Sequence, residues 1–269
     1  MNRRNRNLYL LASLLILAAC DYERFHDGKG SRRTYSVSRT WPAAGIRHVK
    51  VTEVSGNVRV DPSLTDQITL EATVRGRRLE AKQGVENSGF FLTEIDGDTL
   101  RIGRREHRRK LRFNIFFGHQ DRTINYVLRV PPAVSLELRT VNGRIATRGI
   151  AGETEATTVN GTIDVEVTGA EELAATTVNG RVRAKFTKEF NGAQFKSVNG
   201  GVEAFLPNDA SFSVDLAQVN GDFEATFPLS IHSQPGSRRV SGEVNGGQHR
   251  LKIVTVNGDV EVMRLSDAL

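Results

Sequence analysis

Hydrophobic and polar positions alternate through the second half of the chain, in short segments on either side of a recurring Val-Asn-Gly tripeptide. Leu136 and Leu138 share one parity before the first tripeptide, and Ile163 and Val165 share it after the second. Successive side chains of a β-strand point to opposite faces, so these segments predict strands with one buried face. We expect each repeat to be a strand, an Asn-Gly corner, a second strand and a looser turn.

The tripeptide occurs seven times, and consecutive asparagines are 18, 19, 20, 21, 25 and 12 residues apart. A period of about 20 residues is typical of stacked repeat proteins. The last two steps break the period, so one coil near the C-terminus is expected to have displaced its corner, with 240–242 as a candidate substitute. The predicted structural corners are Asn142, Gly143, Asn160, Gly161, Asn179, Gly180, Asn199, Gly200, Asn220, Gly221, Asn245, Gly246, Asn257 and Gly258.

Two positions beside each corner keep their character. The residue two before Asn is small and polar in most copies, and the residue three after it is apolar in all but one. The first set is Thr140, Thr158, Thr177, Ser197, Gln218 and Thr255, and the second is Ile145, Ile163, Val182, Val202, Phe223 and Val260. Both sets are expected on the buried face. The exception is the sequence after Asn245, where the apolar position is lost.

The pattern predicts an all-β fold, a single-stranded β-helix or β-solenoid with an atypical N-terminal β cap. The alternative is an antiparallel meander of hairpins, because Asn-Gly between alternating strands is a strong hairpin signal. Identical turns favour the solenoid, since stacked coils place each Asn about 4.8 Å from the next, where their amides can form a ladder. A meander has no need of identical turns.

The N-terminus predicts export. Arg3, Arg4 and Arg6 precede an apolar stretch of 12 residues, 8–19, which is shorter than the roughly 20 residues that a membrane span needs. Residues 1–19 are therefore interpreted as a signal peptide. Leu17-Ala18-Ala19-Cys20 resembles the bacterial lipobox, which implies that Cys20, the only cysteine, is diacylated and becomes the mature N-terminus. The alternative is an ordinary cleaved signal with an incidental cysteine.

This interpretation places the protein in the bacterial cell envelope, lipid-anchored on the periplasmic face of a membrane. Asp21 after the cysteine resembles the signal that retains lipoproteins at the inner membrane in enterobacteria. Residues 20–45 are polar and aperiodic at first, so they predict a tether. Losing residues 1–19 lowers the formal charge from +6 to +3, which says little about partners.

A local basic segment is more informative than net charge. It is followed at once by Phe113, Ile115, Phe116 and Phe117, and its cations include Arg104, Arg105, Arg108, Arg109, Lys110 and Arg112. An exported lipoprotein seldom meets nucleic acid, so we expect no nucleic-acid partner; anionic lipid is the nearer candidate, at about 1 kcal/mol per basic residue. The alternative is a solvated loop whose phenylalanines cap the solenoid.

A divergent β segment, 46–132, is expected to precede the repeats at 133–265 within one domain, 46–269. Residues 48–60 alternate through a degenerate corner at 54–58, and 68–74 predicts another strand. Residues 90–102 predict a hairpin that turns at Asp96-Gly97. Residues 124–130 form a further strand that ends at Pro131-Pro132, because proline has no N–H for a strand ladder.

Residues 126–143, Tyr-Val-Leu-Arg-Val-Pro-Pro-Ala-Val-Ser-Leu-Glu-Leu-Arg-Thr-Val-Asn-Gly, and the recurrent Thr-Val-Asn-Gly units resemble the bacterial "putative adhesin" family, a domain of unknown function in envelope proteins. The resemblance covers about residues 46–265. It implies a β-solenoid and an adhesin-like role. It carries no catalytic residues and no cofactor.

The search for chemistry in the sequence yields little. The six histidines fall in unrelated segments without metal-ligand spacing. Carboxylates at outward positions, Asp164, Glu166, Glu203, Asp222 and Glu224, could serve glycoside cleavage, but Arg144, Arg181 and Arg183 face them and predict ion pairs instead. We therefore predict a non-enzymatic binding or structural scaffold for an envelope protein or glycan. The alternatives are a membrane-proximal accessory or signalling protein and, remotely, a polysaccharide-active enzyme.

Overall fold

Parallel pairing of successive repeats is the basis of the fold in the computed structural model. The structure describes residues 22–26, 33–76, 91–103, 122–169, 172–229 and 239–267. Within these ranges, 21 strands form an eleven-stranded sheet A and a ten-stranded sheet B that enclose one hydrophobic core. The strands are numbered in chain order, and a short 3-10 helix, Leu265–Asp267, follows the last of them.

Each sheet is given in spatial order. Sheet A contains β1 (Tyr22–His26), β2 (Arg33–Pro42), β5 (Gln67–Gly76), β8 (Arg122–Val130), β4 (Val58–Pro62), β10 (Ile145–Ile150), β12 (Ile163–Val167), β14 (Val182–Phe186), β16 (Val202–Leu206), β21 (Val260–Arg264) and β18 (Phe223–Ala225). Sheet B contains β19 (Arg239–Val244), β17 (Phe212–Asn220), β20 (His249–Asn257), β15 (Ala193–Asn199), β13 (Leu173–Asn179), β11 (Thr154–Asn160), β9 (Ser135–Asn142), β3 (His48–Thr52), β7 (Thr99–Gly103) and β6 (Leu92–Asp96).

The repeats form a β-solenoid, as the sequence predicts. Each coil runs along sheet B, turns at its Asn-Gly corner and returns along sheet A. Corner asparagines pair in parallel register, Asn160 with Asn142 and Asn179 with Asn160. The hairpin alternative is wrong for these repeats, because their neighbouring strands are parallel and come from different coils. We call the side of the molecule with these corners the corner edge, and the side with the looser turns the loop edge.

Alternating side chains build the core from both sheets. Strands β11 and β13 bury every second residue, and Ile163, Val182 and Val202 after the corners are fully buried. Aromatic rings close the C-terminal end, where Phe190 packs edge-to-face with Phe186 and Phe212 at 4.9 and 5.8 Å between ring centroids. The two positions that the sequence predicts on the buried face are buried in every stacked coil except the one formed by β17 and β18, where Gln218 and Phe223 are only partly buried.

The N-terminal part is more elaborate than its sequence suggests. The degenerate corner at 54–58 does join β3 to β4 as an early coil, and β6 and β7 form the predicted hairpin, although Gly97 and Asp98 are its central residues. The predicted tether, 20–45, differs from the structure: 33–42 is β2, paired along its whole length with β5. The cause is burial, since Tyr35 and Val37 are only 6% and 3% exposed.

The last coil is inserted rather than appended. Strand β20 lies between β15 and β17, and β21 lies between β16 and β18, so Asn257 stacks between Asn199 and Asn220. The chain first passes beyond this slot to form β17 and β18. It then returns through the antiparallel β19 and fills the slot at the end. The order of coils in space thus differs from their order in sequence.

Because the last coil is inserted, two of the predicted corners are wrong. Asn245 and Gly246 do not form a stacked corner but lie in the turn that joins β19 to β20. Asn245 has φ 49°, and its Nδ2 donates to the carbonyl of Ala210 at 3.0 Å. The candidate substitute 240–242 is also wrong, because it lies within β19 and pairs with β17. The 12-residue step to Asn257 is short because only one strand separates the two turns.

Replacing either of two buried threonines, Thr147 or Thr158, with valine is expected to change stability in opposite directions. Thr147 is 2% exposed and its Oγ1 has no hydrogen-bond partner among the described residues, whereas Thr158 is 1% exposed and its Oγ1 donates to the Gly143 carbonyl. We expect Thr147→Val to stabilise the protein by about 1 kcal/mol, because an unpaired hydroxyl leaves the core. Thr158→Val should destabilise it by a similar amount, because the partly buried Gly143 carbonyl loses its donor.

Thermal unfolding of both variants checks this pair. A change of about 1 kcal/mol should move Tm by about 2–4 °C in a domain of this size, upward for Thr147→Val and downward for Thr158→Val. The same sign for both would show that hydroxyl pairing does not decide their stability.

Candidate functional site

A ladder of asparagine side chains runs along the corner edge. Each Nδ2 donates to Oδ1 of the neighbouring asparagine, and the members in spatial order are Asn142, Asn160, Asn179, Asn199, Asn257 and Asn220, with donor–acceptor distances of 2.8, 2.7, 2.9, 2.9 and 2.8 Å. The ladder is exposed, so each bond adds little beyond what water would offer, about 0.5–1.5 kcal/mol at most. Its chief effect is to hold all the corners in one register.

The corner glycines are required by the close approach of neighbouring coils. A Cβ built on Gly161 or Gly180 would lie 1.9 Å from the carbonyl oxygen of the preceding corner glycine. The same close contact between coils brings the hydroxyls of the buried threonines within hydrogen-bond distance of the corner carbonyls. Thr158 and Thr177 donate to the carbonyls of Gly143 and Gly161 at 3.2 and 3.1 Å. The corner is therefore a packed unit of Thr, Asn and Gly, in which Asn keeps negative φ at every stacked position.

The valine of each stacked tripeptide points outward beside the ladder. Together with Val54 of the degenerate corner these valines form a row that we call the valine row. Its residues are 37–47% exposed: Val54, Val141, Val159, Val178, Val198, Val256 and Val219. At about 4.8 Å per coil the row extends for about 29 Å. The sequence contained the signal, because alternation that places Thr158 inside must place Val159 outside. The row is nevertheless not among the predicted site residues.

Outward charges on sheet A pair as the sequence predicts. Arg144 contacts Asp164 at 2.5 Å, and Arg181 and Arg183 contact Glu203 at 2.8 and 3.5 Å. Such exposed pairs contribute about 0–1 kcal/mol each. The strip is a flat sheet surface, and in the described part of the chain no three His, Cys, Asp or Glu side chains are grouped to hold a metal ion.

A shallow depression on the outer face of sheet B lies near the N-terminal end, between β7, β3, β9 and β11. Its charges are matched internally: Lys50 contacts Glu137 at 2.6 Å, and Arg139 contacts Glu137 and Glu155 at 2.9 and 3.0 Å. Lys50, Glu137 and Glu155 are therefore already paired, whereas Glu153 lines the depression outside these ion pairs.

Asp98 lies beside this depression at the loop edge. Partial desolvation raises its pKa, but hydrogen bonds from Arg47 and Thr99 and the charges of Arg47 and His48 outweigh that effect, so the pKa is lowered overall. The Arg47 guanidinium is 2.9 Å from the Asp98 carboxylate. Arg47 and Asp98 therefore neutralise each other at this edge.

The predicted lipidation site and basic segment lie outside the described residues. This applies to Cys20 and to Arg104, Arg105, Arg108, Arg109, Lys110 and Arg112. The flanking strands still locate where the basic segment leaves the sheets, because β7 ends at Gly103 and β8 begins at Arg122, both on the corner edge. No helix in the described ranges has the length and apolar character to cross a membrane.

The stacked corners lie within the part of the chain that matches a known family model. Residues 133–263 match the family model Toastrack DUF4097. This Toastrack segment contains all seven Val-Asn-Gly tripeptides, and the early coil at 48–62 lies outside the match. The search of curated proteins found no match.

Solved structures with a similar course include three bacterial proteins. A "putative cell adhesion protein" from Clostridium sporogenes has 9% identity and a TM-score of 0.48, over 85% of this chain and 98% of that one. A "putative lipid binding protein" from Parabacteroides distasonis has 13% identity and a TM-score of 0.44, over 88% and 98%. A "putative adhesin" from Bacteroides fragilis has 10% identity and a TM-score of 0.42, over 85% and 96%.

Proposed function

We propose that this protein is a non-enzymatic, adhesin-like binding scaffold of the bacterial cell envelope, anchored by acylation of Cys20. The observation that carries the proposal is the valine row, an exposed apolar strip that crosses seven coils. Single exposed apolar residues are ordinary on protein surfaces, whereas a contiguous apolar strip marks a contact surface. Extended, rigid surfaces are what stacked repeats provide for binding.

The chemistry of the strip favours a protein partner over a glycan. Sugar-binding surfaces commonly present aromatic rings, yet none of the aromatic side chains whose burial is described is exposed. Tyr35 and Tyr126 are buried, and Trp41 is partly covered by the core. The valine row is aliphatic and bordered by amides, which suits an apolar strip on another envelope protein.

The sequence supports the anchor and the compartment. The arginines at 3, 4 and 6, the short apolar stretch and Leu17-Ala18-Ala19-Cys20 fit a lipoprotein signal. On this proposal the mature protein lies on the periplasmic face, at the inner membrane if Asp21 acts as a retention signal.

Crosslinking inside cells tests the contact surface. A photoreactive phenylalanine analogue at Val178 should form a protein adduct, whereas the same analogue at Lys185, outward on sheet A, should not. Adding Val159→Lys and Val198→Lys should lower the Val178 adduct about tenfold, which equals ~1.4 kcal/mol of binding free energy.

Both lysine substitutions are at exposed positions, so unchanged thermal unfolding of the variant is the folding control. Equal adducts from Val178 and Lys185, or a Val178 adduct that survives both lysines, would contradict the proposal. An adduct that glycosidases destroy and proteases do not would favour the glycan alternative.

A further inference from the structure

The loops of the loop edge differ in polarity from one end of the molecule to the other. Towards the C-terminal end they expose charged and amide side chains, Lys188, Glu189, Asn208 and Asp209. Towards the N-terminal end they also expose polar residues, Arg47, Thr65 and Asp66, but beside these lies an apolar group that we call the apolar loop tips, Pro42, Ala44, Leu64, Pro132 and Ala133. The contrast lies within one edge, so it is not a general property of turns in this fold.

Leu64 is the most prominent of the apolar loop tips. Its side chain is 101% exposed, the most of any large hydrophobic residue in the described part of the chain. The turn beneath it is fixed, because the Ser63 hydroxyl donates to the Thr65 carbonyl at 3.0 Å and the Ser63 N–H donates to the Val130 carbonyl at 2.7 Å. These two hydrogen bonds fix the turn, and the turn holds the Leu64 side chain in its exposed position.

Hydrogen bonds hold the three loops of the apolar loop tips side by side. The Ala43 N–H donates to the Asp66 carbonyl at 2.9 Å, which joins the first loop to the second. The Ser63–Val130 bond brings the second loop beside the start of the third. The apolar loop tips therefore form one fixed group.

The described chain begins close to this group. Strand β1 starts at Tyr22, two residues after Cys20, and Tyr22 pairs with Ser38 of β2. Strand β2 runs on from Ser38 to Pro42 at the loop edge, and β1 is antiparallel to it. Tyr22 is therefore the end of β1 nearer the loop edge, and a segment of two residues spans at most about 7 Å. An acyl anchor on Cys20 must lie near β1, on the N-terminal half of the molecule.

We propose that the apolar loop tips are the face of the protein that rests on the lipid bilayer, with Leu64 in the interface. This inference rests on the proposed acylation of Cys20. An exposed leucine, two prolines and two alanines gain free energy by leaving water for the acyl boundary. Arg47 and Asp98 beside them form an ion pair at 2.9 Å, and the exposed charge closest to Leu64 in the sequence is Asp66, which must stay at the headgroup level.

With the loop edge on the bilayer, the two edges of the molecule lie at different distances from the membrane. The corner edge, with the valine row and with the strand ends Gly103 and Arg122 on either side of the basic segment, then points away from the anchoring membrane. Only one of the two edges can face the bilayer. Measuring the distance to the bilayer at one position on each edge therefore tests the orientation.

The test uses the full, acylated protein in phosphatidylcholine vesicles. Cys20 is the only cysteine, and acylation removes its free thiol, so one new cysteine can be labelled alone. A fluorophore at Ala133→Cys should be quenched by nitroxide lipids several-fold more than one at Val178→Cys on the corner edge. Leu64→Asp, added to the Ala133→Cys protein, should remove most of that difference.

Each outcome has one meaning. Weak quenching at both positions, or no effect of Leu64→Asp, overturns the inference while leaving the anchor intact. Stronger quenching at Val178 also overturns it, and if this appears only with anionic lipid it identifies the basic segment as the membrane contact. Fatty-acid labelling is measured first: a wild-type protein that takes up no label, or takes it up equally as Cys20→Ser, refutes the anchor itself.

Discussion

Gly180→Ala should lower the free energy of unfolding by about 3 kcal/mol, the upper range for overpacking in a well-packed site. The new Cβ would lie 1.9 Å from the Gly161 carbonyl oxygen, a backbone atom that cannot move without separating two coils. That oxygen also accepts the Thr177 hydroxyl at 3.1 Å, so a displaced coil loses this bond as well. Thermal unfolding should show a Tm lower by about 6–12 °C.

Gly169→Ala is the matched control for this substitution. Gly169 has φ 66° and no heavy atom within 4 Å of a built Cβ, so only backbone strain of about 1 kcal/mol applies. If the two alanines cost the same, close packing of the coils is not the reason for glycine at the corner.

Ending the chain after Gly247 should unfold the C-terminal coils and leave the central ones folded. Strand β20 bonds to β15 and β17 at once, so its removal breaks two ladders. It also removes the buried Leu251, Ile253, Val260 and Val262, each worth about 1.5–3 kcal/mol. Hydrogen exchange should show protection lost in 212–225 and 239–247 and retained in 135–186, because stacked coils are stabilised by their neighbours.

A chain that ends after Ser266 keeps both strands of the last coil and should show the exchange pattern of the intact protein. Full hydrogen-exchange protection of β17 in the chain that ends after Gly247 would contradict the prediction. It would mean that β17 had moved one coil and stacked directly on β15, which the shared Val-Asn-Gly register permits.

Much of the candidate site could be predicted from the sequence. The period of two placed Thr158 and Ile163 inside, and the identical turns favoured stacked corners over hairpins. The valine row follows from the same alternation, although it is not among the predicted site residues. Leu64 could not be identified in this way, since a single leucine between Ser63 and Thr65 carries no periodic signal and its exposure depends on how three distant loops meet.

Strand β2 and the turn at Asn245 show where local pattern fails. Residues 33–42 were expected in a tether, and the bonds that make them a strand come from β5, which begins 25 residues later at Gln67. Asn245 has the same tripeptide as the stacked corners, yet it lies in a left-handed turn because its neighbour β19 runs antiparallel to β17.

The sequence by itself determined the unit of this protein: two strands, one buried face, and a Thr-Asn-Gly corner that only a stacked neighbour can complete. These are local or nearest-coil properties, set by side-chain alternation and by the space that glycine leaves. The tertiary structure alone decided the order of the units and the polarity of the loop edge. The reason is that equivalent corners are interchangeable partners, so Asn257 can stack on Asn199 as well as Asn220 could, and only the connection through β19 selects the arrangement.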